Sequence, residues 1–262
     1  DFASAVEVAR GGLRLVRAGS KNRALVERAS RFVEATEEAL LGDDERRRAR
    51  SREQALLDFL LDVEMRQVRT GFDETDAELD AQYTAAFLSY GLDLEAADLG
   101  DRLRELRDTD LGVRLALGFD GWARLLRRMG TREFKLDLLT GIGIDLDSDP
   151  LRTAVRWALV ERHAEQLLEM SKDVSIDSTE PETLVLLATC LEELEHFDSA
   201  RALYVRGANR HPTSFLLNFG AGRSLFGLRW NAKPESFDAS VGYLQAALTL
   251  RPELTGIRAL LG

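Results

Sequence analysis

Residues 181 to 212 read PETLVLLATCLEELEHFDSARALYVRGANRHP, and the stretch combines helical spacing with small residues and a closing proline. Counted from Pro181, the fourth, seventh, eighth and eleventh residues are Leu184, Leu187, Ala188 and Leu191, which share one face of a helix. The twentieth, twenty-fourth and twenty-seventh are Ala200, Tyr204 and Gly207, where two small residues let a second helix come close to the first. Pro212 stops that helix, because it lacks an N–H and its ring clashes with the preceding turn. The pattern then returns. TSFLLNFGAGRSLFGL sets Ala221-Gly222 and Leu225 at the matching positions of a first helix. SFDASVGYLQAALTLRP sets Ser240, Leu244, Ala247 and Pro252 in register with Ala200, Tyr204, Gly207 and Pro212. A repeated helix pair cannot bury its apolar face alone, so it constrains the chain to stack.

The two prolines are 40 residues apart, and a resemblance of these segments to the tetratricopeptide repeat, whose period is about 34, implies an insertion of six near RWNAKP. The array then divides into 181–214, 215–254 with the insertion, and a third unit, 255–262. Upstream, apolar residues recur at three and four residues and almost nothing alternates with period two, so the whole chain is expected to be all-α. Residues 1–17 and 20–41 read as a helix pair, and Gly42-Asp43-Asp44 as the cap of a long charged helix with a stripe of Leu56, Leu60, Val63 and Gln67 beside Phe59. Gly71 is expected to end it. Further helices are expected up to Gly91, over about 95–107 and 110–129, after the Asp149-Pro150 cap, and over roughly 161–172. The domain reading is 1–70, 71–180 and 181–262.

With 45 acidic against 35 basic residues the net charge is −10, which argues against a nucleic-acid partner, since that affinity rests on Lys and Arg contacts to phosphate. No apolar run approaches the roughly 18 to 20 residues needed to span a bilayer. One cysteine, Cys190, forms no internal disulfide and fits a reducing compartment, so a cytoplasmic location is expected. The opening Asp1 and the helical pattern still running at Leu261-Gly262 read as an internal fragment.

The repeated segments resemble the tetratricopeptide repeat, which implies antiparallel hairpins stacked as an α-α superhelix with a concave face. A wider resemblance, over about 55 to 262, joins GFDETDAELDAQYTAAFLSYGLDL, LGFDGWARLL, DSDPLRTAVRWAL, ETLVLLATCL, HPTSFLLNFGAG and VGYLQAALTLRPE. This combination is similar to the non-catalytic region of planctomycete-type serine/threonine kinases, and implies a bacterial signalling chain with a kinase domain upstream. It transfers no catalytic residue, and the phosphate loop, strand Lys, catalytic loop and magnesium motif of a kinase are not in this sequence.

Chemistry-bearing candidates are few. GIGIDL at 141–146 has Gly141 and Gly143 but no third glycine for a phosphate loop. Asp145, Asp147 and Asp149 alternate as in a calcium loop, but Pro150 stands where a glycine is needed and Arg156 where the bidentate Glu belongs, so capping and solvation are expected of them. His163, His196 and His211 have no ligand-spaced partners. Cys190 reads as a packing thiol, and Arg46, Arg47, Arg48, Arg50 and Arg52 as a helix face paired with nearby acids. No catalytic residue, metal or cofactor is expected.

The function expected is a non-enzymatic scaffold that binds a peptide or protein. The alternative is a regulatory, sensing or oligomerising region of a multidomain kinase, and self-association stays open. The repeat resemblance places the second, fifth, ninth and twelfth residues of each first helix on the concave face: Glu182, Val185, Thr189 and Glu192, then Leu216, Phe219, Arg223 and Phe226. Val185 and Thr189 depart from the Lys and Asn of repeats that clamp a C-terminal carboxylate. An apolar peptide with one acidic group suits Phe219, Phe226 and Arg223 better. The competing expectation is that the chain's own helices from 71–172 fill that face.

Overall fold

The computed structural model describes residues 2–19, 23–68, 75–130, 134–226, 234–252 and 257–258. Twelve helices and no strand are found among them. No helix among the described residues is long and apolar enough to cross a membrane. The chain divides into two compact units between Leu56 and Leu57, inside one long helix.

In the first unit, α1 (Phe2–Gly19) lies beside the first part of α2 (Arg23–Val68). Val6, Ala9 and Val33 are buried, and Arg10 donates to Glu37 at 2.7 Å. The expected break at Gly42 is absent: α2 runs straight through it. A single glycine in a helix costs only about 1 kcal/mol relative to alanine. Asp43, expected in a cap, instead pairs with Arg47 one turn on at 2.7 Å within the continuing helix.

The second unit holds the rest of α2, then α3 (Asp76–Tyr90), α4 (Leu99–Leu106), α5 (Asp110–Arg128), α6 (Phe134–Leu146), α7 (Pro150–Val160), α8 (Ala164–Asp173), α9 (Pro181–Glu193), α10 (Phe197–Arg210), α11 (Phe215–Phe226) and α12 (Pro234–Leu250). Their ends follow local chemistry. Thr75 and Glu78 form a reciprocal capping box at the start of α3, and Gly91 ends it with φ +104, a left-handed conformation that costs glycine least. Asp149 caps α7 by accepting from the N–H of Arg152, and Pro150 occupies the first turn, where a missing N–H costs nothing. Gly71, the side chain of Gln67, most of the RWNAKP insertion and most of the third repeat lie outside the described residues.

Packing in this unit has two parts. Tyr83 and Phe87 of α3 stack with Trp122 and Phe119 of α5, with ring centroids 4.1 to 5.6 Å apart, and Phe59 of α2 meets Tyr83 edge-on at 5.6 Å. Trp122 donates its indole N–H to Asp80 at 2.6 Å, and Lys135 both pairs with Asp80 and sits over the Trp122 ring. Leu60 of α2 presses on Gly118 of α5 so closely that a Cβ there would lie 2.6 Å from a leucine methyl. From α7 onward, helices pack in sequence: α7 on α8, α9 on α10, α11 on α12, with α7 also against α9 and α9 against α11. Leu184, Leu187, Ala188, Leu191, Ala200, Tyr204 and Ala221 share one buried core across these hairpins.

Candidate functional site

The repeat positions named from sequence separate into two groups. Glu182, Val185 and Thr189 of α9 and Leu216 of α11 line one cavity of about 440 Å³ inside the second unit. Its opposite wall comes from Leu57, Leu60 and Leu61 on α2 and from Arg114, Leu117 and Gly118 on α5. The cavity therefore lies where the starts of two successive hairpins face helices that precede them in the chain.

The remaining positions are engaged with the protein itself. Glu192 accepts from Arg223 at 2.5 Å, and both side chains are largely covered. Phe219 is 3% exposed in a cluster with Leu244, Ala247 and Ile257, and Phe226 meets Phe237 at 6.2 Å. Thr189 shares a 2.9 Å hydrogen bond with the Tyr204 hydroxyl, so its side chain fixes the α9–α10 joint while its edge faces the cavity. Helix α5 also pairs with the end of α9, through Arg127 donating to Glu193 at 2.8 Å and Arg124 at 3.8 Å from the same carboxylate. The chain's own helices thus occupy part of the expected face and leave a recess that is open on one side.

Among the charged side chains that border the recess, cations outnumber acids. Arg114, Arg124 and Arg251 border it, against the single carboxylate of Glu182, and His211 lies in the same lining. Arg124 is drawn toward Glu193, and His211 has its Nε2 at 3.2 Å from the Ile176 carbonyl. Arg114 is exposed and has no ion-pair partner among the described residues.

The second unit also holds an ion network that sequence reasoning missed. Asp147, expected to be a solvated acid, is 1% exposed. It accepts from Arg152 at 2.7 and 2.9 Å and from Arg156 at 2.9 Å. Arg152 also donates to Glu180 and Thr183, and Arg156 to Asp120, so the network joins α5, α7 and the start of α9. Burial pushes the Asp147 carboxyl upward, but the Arg152 hydrogen bond and the Arg156 charge outweigh it and hold it below the usual carboxylate range. Asp149 caps α7 as expected, and Asp145 is exposed.

Gly141 and Gly143 are inside α6, where a Cβ on Gly143 would crowd Asp120 and Arg156. Cys190 is fully buried, and that burial pushes its thiol well above the ordinary value and suppresses the reactive thiolate. Among the described residues no group of three or more His, Cys, Asp or Glu is placed to hold a metal. The geometry offers a shaped apolar recess with cations at its edge, which is suited to binding. Leu57, Leu60, Leu61 and Arg114 escaped sequence reasoning because their role depends on packing between elements some 60 to 130 residues from the repeats. No family model, no curated protein and no solved structure matches the chain.

Proposed function

We propose that the second unit is a non-enzymatic interaction scaffold of tetratricopeptide-like helical repeats, and that it receives an apolar segment of a protein partner in the recess between α9, α11, α2 and α5. The observation that carries this reading is convergence. Four inner-face positions from two successive hairpins, Glu182, Val185, Thr189 and Leu216, border one cavity. The ordered packing of α7 through α12 and the buried small residues Ala200, Gly207, Ala221, Gly222 and Ala247 support the repeat register.

A volume of 440 Å³ lies within the range of about 300 to 1,000 Å³ typical of ligand recesses and holds a few apolar side chains. Burying one Leu or Phe of a partner supplies about 1.5 to 3 kcal/mol, so one anchor alone gives weak binding. Two or three anchors with a paired rim charge give a specific complex. The test is to place a photo-crosslinking amino acid at Leu216, which borders the recess, or at Leu88, which is 55% exposed on α3. Irradiation in the cells that make the protein is expected to give discrete adducts to another polypeptide from position 216 only. Identical adducts from both positions, or none from 216 in a chain that stays helical, would refute the proposal.

A further inference from the structure

We infer that the segment bound in this recess is acidic as well as apolar: large apolar side chains enter the cavity, and a neighbouring Asp or Glu pairs with Arg114. The inference rests on the docking reading above and adds the chemistry of the partner. Sequence reasoning assigned acid recognition to Arg223, but that guanidinium is bonded to Glu192. The charge at the recess itself points to a different cation.

The chain as a whole is acidic, with a net charge of −10, yet this rim carries three arginines against one carboxylate, and Arg114 has no acid paired to it among the described residues. A basic segment would meet like charges there. An acidic one is attracted, and complementary potentials of this kind select partners and raise association rates. Arg114 is the rim cation with the clearest capacity for a new partner: it is exposed and without an ion pair among the described residues, whereas Arg124 faces Glu193. It projects from α5 three residues before Leu117, a wall residue of the same cavity. Because residues three apart on a helix are neighbours, the cation and the apolar wall present themselves together. The guanidinium fork matches a carboxylate in two parallel bonds, and a low-dielectric wall beside it strengthens them.

The experiment is a peptide-display selection on the full chain, followed by titration of the best peptide against the wild type, Arg114→Glu and Arg114→Lys. Arg114 is exposed, so neither substitution disturbs a packed contact. The enriched peptides are expected to carry Asp or Glu next to Leu, Phe, Ile or Trp. The best of them is expected to bind Arg114→Glu at least about tenfold more weakly, with Arg114→Lys in between, since lysine keeps the charge and loses the fork. Enriched peptides without an acid, or equal affinity for wild type and Arg114→Glu, would overturn the inference and leave the scaffold reading standing. No enrichment at all on the wild-type chain would overturn the scaffold reading as well.

Discussion

Replacing Asp147 by Ala removes the one carboxylate that two buried guanidinium groups share. Arg152 and Arg156 are 5% and 2% exposed, so neither can turn to water when its partner is lost. Breaking a buried ion pair from one side costs about 3 to 5 kcal/mol, because the other charge is left uncompensated. Here each arginine keeps a second partner: Arg152 keeps Thr183 and the exposed Glu180, and Arg156 keeps Asp120. The lower end, about 3 kcal/mol, is therefore expected, which lowers Tm by about 6 to 12 °C in a unit of this size. Far-UV circular dichroism during heating reads the shift directly.

The pH dependence adds a second check on the same residue. The folded carboxyl is held below its unfolded value of about 3.9, so its stabilisation is fully present above that value and is lost as pH falls through the folded one. The gap between wild type and Asp147→Asn is thus expected to stay constant from about pH 7 to pH 5 and to close below about pH 4. A Tm shift under about 2 °C for Asp147→Ala, or a gap that widens in acid, would refute the reasoning.

At the helix joints, a Cβ on Gly220 would lie 2.4 Å from the Tyr204 ring, whose hydroxyl is tied to Thr189, so Gly220→Ala is expected to cost about 1 to 3 kcal/mol in urea denaturation. Gly141→Ala, with nothing within 4 Å of the new methyl, is expected to stabilise by up to about 1 kcal/mol in the same assay. Ala247→Phe places a ring among Phe219, Leu244 and Ile257 and is expected to cost about 1 to 3 kcal/mol of unfolding free energy in the same assay, with helix content retained. Cys190 is expected to react with a disulfide reagent at least about tenfold more slowly in the native chain than in urea, and equal rates would contradict its burial.

Short-range chemistry was legible in the sequence. Gly91 and Asp149-Pro150 bound their helices as their backbone preferences require, and Ala200, Gly207, Ala221, Gly222, Ser240 and Ala247 are buried. Gly42 misled because a glycine weakens a helix without obliging it to end. Asp147 misled for a different reason. An acid near a helix start is usually solvated, and nothing local says that Arg152 and Arg156 will both fold over it. The candidate site was half legible: the spacing in α9 and α11 selected positions on the recess, but the wall from α2 and α5 depends on distant packing. The same distant packing closed the rest of the row, through Glu192–Arg223 and the cluster at Phe219.

Hydrogen–deuterium exchange of the full chain, with and without a selected acidic-apolar peptide, tests the docking recess most directly. Amides are protected in proportion to local stability, so a bound segment marks the elements it holds. The expected result is slowed exchange at the start of α9, at the start of α11 and around Arg114 to Gly118 of α5, with the first unit unchanged. Slowed exchange confined to α12 or to the first unit, with those three segments unaffected, would contradict the proposal that this recess is where the partner binds.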